Sequence, residues 1–179
     1  GIPNGGYLLA VVLRAMQEQV GIKNLLSVNA PYLRPGVSGE EGRVESLILR
    51  EGSSISTSIA SLIQREKTSM HVVAAFGELK KTANGFPRIQ IDPPFMPPPE
   101  ECAKRSAENQ GVELSIQKRV DVRMADMESD SDSSDLYGWI KFSDSAPVDS
   151  LGLALFSDAF PPSIFSKLGR VGWVPTVEL

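Results

Sequence analysis

The stretch PNGGYLLAVVLRAMQEQVG, Pro3 to Gly21, decides the fold. Asn4 is a good helix N-cap, because its side-chain oxygen can accept a hydrogen bond from a free amide of the first turn. Gly21 supplies a C-terminal stop. Between them apolar residues run nearly all the way round, and a helix apolar on most sides is buried rather than laid on the surface. Four stretches follow: NLLSVNAPYLRP, GRVESLILR, SISTSIASLIQ and TSMHVVAAFGEL. Each is rich in Val, Ile, Leu, Ser and Thr with partial alternation. The intervening GVSGEE, EGSS and REK have turn composition. The pattern predicts one buried helix followed by four antiparallel strands, with the sheet wrapped round the helix.

Further along the composition changes. GFPRIQIDPPFMPPPEE carries six prolines, which cannot donate to a strand ladder, so residues 81–117 read as a linker, in part polyproline II. PEECAKRSAENQG predicts a short exposed helix ending at Gly111. The first pattern then returns. SIQKRVDVRMA and LYGWIKF read as strands flanking an acidic loop. APVDSLGLALFSDAF reads as a second buried helix with Asp149 as N-cap, and VGWVPTVEL begins another strand. Setting Pro3 against Pro147 aligns Leu9 with Leu153, Ala10 with Ala154 and Arg14 with Asp158. The order of elements implies two copies of one α+β unit. Gly1 stands without Met at a helix-start signal, and the last residues are β-rich without a terminator, so the chain reads as a fragment with its first strand and its C-terminal part missing.

The 179 residues, 41% hydrophobic and 22% charged, are those of a globular protein with a sizeable core. A net charge of −4 argues against broad nucleic-acid binding, which needs a basic surface. No apolar run reaches the roughly 18 to 20 residues of a membrane span, and no signal peptide is visible. Cys102 and His71, each the only one of its kind, make neither a disulfide nor a metal site. With no sorting signal in view, the expected location is cytoplasmic.

Asp158 raises the main functional question. At 100° per residue it falls between Leu151 and Ala154 in the apolar sector of the second helix, and burying an unpartnered carboxylate costs several kcal/mol, on the order of 2 to 7 for a polar group and more for a charge. The aligned Arg14 shows that the fold does not demand an acid there. One reading is a carboxylate that holds a reacting water. The other is a residue near a helix end, satisfied by a backbone amide or by solvent. Gly5 and Gly6 open the first helix, where a ligand oxygen could approach free amides, or where the chain simply turns tightly. His71 lies in a strand and reads as pointing to solvent or held by a neighbour. A Ser–His–Asp triad has no support, since no G-x-S-x-G elbow occurs. MESDSDSSD fails as a calcium loop: the sixth position from Asp130 is Asp135, not Gly, and the twelfth is Lys141, not Glu.

In order, NGGYLLAVVLRA, PYLRPG, LREGSSIS, AAFGE, PVDSLGLALFSDAFPPS and GWVPTVEL resemble the double-hotdog acyl-CoA thioesterases of the type II, thioesterase-like group. The resemblance spans most of the chain except the proline-rich stretch and the acidic loop. It implies an α+β double hotdog, two units each of a helix wrapped by an antiparallel sheet, with residues 1–80 as the first unit, 81–117 as linker and 118–179 as an incomplete second unit. It implies hydrolysis of acyl-CoA to fatty acid and CoA, with no cofactor, no metal and no covalent serine intermediate. It assigns the catalytic acid to Asp158 and a hydroxyl partner to Thr176, with a glutamine beyond Leu179. On this reading Gly5 and Gly6 lie at an oxyanion or substrate site, and Arg34 and Arg50, at strand ends, either meet CoA phosphates or serve as rim charges. The first copy, with Arg14 in place of the acid, leaves one working site per chain. The partner is the acyl-CoA substrate. A homo-oligomer is compatible with the resemblance, and a peroxisomal address would sit beyond Leu179. A rival reading is a non-catalytic hotdog that binds acyl-CoA or an acyl chain. A hotdog dehydratase is a third, disfavoured because His71 is on neither helix.

Overall fold

The computed structural model describes residues 2–21, 24–79, 91–106, 114–126, 134–168, 172 and 174–179. Residues 81–90 of the proline-rich stretch, the expected helix end at Gly111 and most of the acidic run 127–135 lie outside them. The chain divides into two compact units, one of residues 1–90, 149–158 and 176–179, the other of residues 91–148 and 159–175.

In the first unit, helix α1 (Gly5–Val20) is followed by strands β1 (Asn24–Asn29), β2 (Arg43–Arg50), β3 (Ile55–Gln64) and β4 (Lys67–Gly77). The four strands form one antiparallel sheet in the order β1-β4-β3-β2. Period-two burial explains the register. On β3 the residues Ser56, Ser58, Ala60, Leu62 and Gln64 are buried, and on β4 Met70, Val72, Ala74 and Phe76. Their apolar members meet Leu9, Val12, Leu13 and Met16 of α1, all fully buried and spaced to lie along one helical stripe. As expected, α1 is covered on most sides, but one face stays outward. Tyr7, Val11, Arg14 and Glu18 form an exposed stripe, and Arg14 pairs with Glu18 at 2.9 Å. The two charges at i and i+4 explain why that face is outward.

Helix α2 (Ser150–Phe156) packs on α1, and Leu151 and Ala154 join the same core. Asp149 caps it as expected, accepting from the Gly152 amide at 2.7 Å. The helix is shorter than the sequence suggests and stops at Phe156. The Ser157 hydroxyl turns back to the Ala154 carbonyl at 2.7 Å, and Pro161 and Pro162 follow. Asp158 therefore sits in the turn after the helix and not in its apolar sector.

The strand expected through NLLSVNAPYLRP also stops early, since Pro31 has no N–H to extend the ladder. The chain nevertheless stays beside β4. A one-residue shift between Leu62 and Ile63 leaves Ser69 unpaired by β3, and the Ser69 carbonyl accepts from Leu33 and Arg34 at 2.8 and 3.1 Å. On its other side this segment takes up the last residues of the chain. Ala30 and Leu179 exchange both backbone bonds, and the Tyr32 amide donates to Val177 at 2.9 Å. The strand expected at VGWVPTVEL is thus reduced to a single bridge, Pro31 with Glu178.

The second unit holds a three-stranded antiparallel sheet in the order β5-β6-β7, made of β5 (Ala103–Lys104), β6 (Val120–Met124) and β7 (Gly138–Phe142). The helix expected from Pro99 is only a 3₁₀ turn, Pro99–Glu101, because Cys102 leaves it extended and Ala103 and Lys104 pair with Met124 and Arg123. Likewise SIQK forms a 3₁₀ turn, Ser115–Lys118, and the strand begins only at Val120. A short helix α3 (Phe165–Leu168) follows the two prolines. No helix among the described residues is long and apolar enough to cross a membrane.

Candidate active site

Two other stretches of the first unit, around Asn4–Gly6 and Thr176, converge on the Asp158 carboxylate. Its Oδ1 accepts from the Thr176 hydroxyl at 2.6 Å. Its Oδ2 accepts from the Asn4 side-chain amide at 2.9 Å and from the Gly6 backbone amide at 3.0 Å. Three donors and no competing acceptor suit an ionised carboxylate, which can only accept. The group lies at the N-terminus of α1, where the helix dipole favours negative charge. An acid that looked unpartnered in the sequence is thus satisfied from three sides, which removes most of the penalty for its half-burial.

Local sequence explains each donor. Asn4 caps α1 through Oδ1, which accepts the Tyr7 amide at 2.9 Å. Its Nδ2 is then left pointing the other way and donates both to the carboxylate and to the Asp158 carbonyl, each at 2.9 Å. An amide side chain carries both an acceptor and donors, so Asn4 can cap the helix and donate to the acid at once. Gly6 is required by space. A β-carbon there would lie 2.4 Å from the Leu155 carbonyl oxygen and 3.0 Å from the Asp158 β-carbon. Its absence lets α2 and the turn after it come close enough for the amide to reach Oδ2. Thr176 is delivered by the backbone pairing of residues 177–179 with Ala30–Tyr32.

Tyr32 completes the surroundings. A β-carbon on Gly5 would stand 2.9 Å from Asp158 Oδ2 and 3.0 Å from Tyr32 Cε1, so the ring edge and the carboxylate face the same small space. The Tyr32 hydroxyl is screened from solvent and has no hydrogen-bond partner among the described residues. Burial, and secondarily the charge of Asp158, pushes its phenol well above the usual tyrosine range.

The structure therefore brings together Asp158, Thr176, Gly5 and Gly6. Arg34 and Arg50 are not among the groups around the carboxylate. Arg34 donates to the Thr68 carbonyl at 2.6 Å, and Arg50 ends β2 opposite Thr57. His71 is held by Ser61, Nδ1 to Oγ at 2.9 Å, on an exposed part of the sheet. Cys102 is buried in the second unit, its thiol towards the Pro98 carbonyl at 3.4 Å. Among the described residues no group of three or more His, Cys, Asp or Glu is arranged to hold a metal ion. Asn4 and Tyr32 escaped the sequence reading as site residues. The cap motif accounted for Asn4 without its second set of bonds, and nothing in YLRP marks a buried hydroxyl.

Two family models match the chain in order, the acyl-CoA thioesterase N-terminal domain over residues 1–77 and the acyl-CoA thioesterase C-terminal domain over residues 93–179. Among solved structures, a candidate thioesterase II of Thermobifida fusca YX is 27% identical with a TM-score of 0.83, covering 99% of this chain and 70% of its own. A hot dog fold protein of unknown function from Alicyclobacillus acidocaldarius is 21% identical with a TM-score of 0.79, covering 98% of this chain and 65% of its own. The TesB protein of Mycobacterium avium subsp. paratuberculosis is 21% identical with a TM-score of 0.75, covering 97% and 65%. The chain thus spans about two thirds of the length of these relatives, and at the two lower identities the likeness is one of fold. No curated protein matches it. Two domains of one family, matched in their natural order over most of the sequence, identify the chain as a member of the acyl-CoA thioesterase family.

Proposed function

We propose that the protein hydrolyses acyl-CoA thioesters to a free fatty acid and CoA, at the Asp158 site, with water as nucleophile and neither a metal nor an acyl-enzyme intermediate. The observation that carries the reading is the convergence of Asn4, Gly6 and Thr176 on one half-buried carboxylate. Such a carboxylate is fixed in orientation and free to accept a proton. The water oxygen bonds to the thioester carbonyl carbon and passes a proton to Asp158. The tetrahedral oxyanion collapses, the C–S bond breaks, and the leaving thiolate recovers the proton. Thr176 holds Oδ1 so that its remaining lone pair faces the water.

The same proposal includes the double-hotdog arrangement along the sequence, with repeats at 1–80 and 118–179 separated by the proline-rich 81–117, residues 149–158 and 176–179 of the second repeat packing with the first compact unit, and a single working site per chain. The order of the two family domains and the hot dog relatives support it. The test is release of free CoA thiol from short, medium and long acyl-CoAs by the full chain. Release that Asp158→Ala reduces to background is expected. Absence of release from the unmutated chain, or an Asp158→Ala variant as active as the parent, overturns the reading.

A further inference from the structure

We propose that Tyr32 is a further catalytic residue of this site, its hydroxyl donating a hydrogen bond to the thioester carbonyl oxygen and to the oxyanion that forms there. The inference rests on the thioesterase reading and deepens it. Three observations carry it. Among the described residues the hydroxyl is a buried polar atom with no partner, a state that costs on the order of 1 to 3 kcal/mol and that native proteins rarely keep without a use. The Tyr32 ring and Asp158 Oδ2 face one small space beside Gly5, kept open by the missing β-carbon. The backbone of the tyrosine is bridged to Met70 on β4 and bonded to Val177, and its ring packs against the hydrophobic core.

The geometry also says which role is left to fill. The oxyanion donors expected from the sequence were the amides at the start of α1. The Gly6 amide is already given to Asp158 Oδ2 at 3.0 Å. Asp158 is itself the proton acceptor for water, so a further donor facing the carbonyl oxygen has a use. The phenol supplies one. Burial pushes its phenol further above the ordinary tyrosine value, so it serves as a donor and not as a base. As negative charge grows on the carbonyl oxygen the bond strengthens, which is what transition-state stabilisation requires. The acid and the phenol thus divide the work, one taking the water's proton and the other holding the charge that results.

The test compares the full chain with Tyr32→Phe, which keeps the ring and its packing and removes only the oxygen. Expected is a fall in kcat of about 10²- to 10³-fold, the usual cost of one oxyanion donor, with KM within about twofold and a thermal midpoint equal to or above the parent's, since an unpaired buried hydroxyl is removed. If the parent hydrolyses acyl-CoA, Asp158→Ala is inactive and Tyr32→Phe keeps full kcat, the Tyr32 assignment is overturned while the hydrolase reading stands. If the parent shows no turnover, the hydrolase reading fails, and the contact is judged by infrared spectroscopy on a ketone analogue of acyl-CoA, with methylene in place of the thioester sulfur. A bound carbonyl band at lower frequency in the parent than in Tyr32→Phe supports the contact. An identical band, or no binding of the analogue, rejects it.

Discussion

Two polar constellations in the first unit invite comparison. Ser61 and His71 pair across β3 and β4 at 2.9 Å, a nucleophile and a base within hydrogen-bond reach. Asp158 and Thr176 pair at 2.6 Å and carry no histidine at all. By residue type the first looks more like an enzyme. By surroundings the second does. Ser61 and His71 are side-chain neighbours fixed by strand register, directly opposite each other on an exposed part of the sheet. Asp158 gathers donors from residues 4, 6 and 176, with a buried phenol beside it. Strand pairing puts any two facing residues in contact, so contact between them is weak evidence of a task. Convergence of three donors from two segments far apart in sequence on one half-buried acid is not a by-product of regular structure.

The comparison is broken most sharply by Asp158→Asn, which preserves size and loses the base. Thiol release from acyl-CoA should fall by about 10² to 10⁴, the contribution of a positioned general base, and a smaller loss would move the acid out of the mechanism. Thr176→Val removes one bond to a charged group, worth about 1.5 to 3 kcal/mol. A drop of roughly ten- to a hundredfold in kcat is expected, with the fold intact by circular dichroism. Gly6→Ala drives a methyl against the Leu155 carbonyl. Overpacking of this kind costs about 1 to 3 kcal/mol, to be read as a lower midpoint in urea. Tyr32 gives a pH signature. Its hydroxyl is protonated more firmly in the folded than in the unfolded chain, so its contribution to stability is full below the ordinary phenol value of about 10 and is lost as pH climbs beyond it. Phenolate absorbance assigned by difference from Tyr32→Phe should appear only above that value, and an ordinary titration would mean the hydroxyl is wet. The smallest effect belongs to the other constellation. Ser61→Ala and His71→Ala should each leave thiol release within twofold and stability within about 0.5 kcal/mol, as surface substitutions usually do; a large loss of activity from either would reverse the ranking of the two pairs.

What the sequence revealed follows the range of each interaction. α1 and the strands β2, β3 and β4 were legible, because periodicity and turn residues are local and their apolar faces agree with the core. Element ends were less so. APVDSLGLALFSDAF reads as helix to its last residue, and only the Ser157 side chain bending back to Ala154 shows where it stops. The same holds for Cys102, where sheet pairing at Ala103 and Lys104 overrode the helical composition around it. Of the site, Asp158 stood out as a charge among apolar residues, and Thr176 came through the family resemblance. Asn4 and Tyr32 could not be found that way. Their importance lies in bonds made or left unmade to residues far along the chain, and no local pattern encodes those.

The span between Asn4 and Asp158 is 154 residues, and this has a consequence for biosynthesis. A growing chain exposes Asn4 and Gly6 early, and α1 can dock on β2–β4 as soon as Gly77 has emerged. The acid that occupies the helix start arrives much later, and Thr176 later still. Closing so long a loop is slow compared with forming a helix or a hairpin. The site is therefore the last part of its unit to assemble, and a nascent chain carries a docked but unfinished helix start until then. Assembly of this carboxylate site is a late event of maturation, tied to synthesis of residues 158 to 176 rather than to formation of the α1 core.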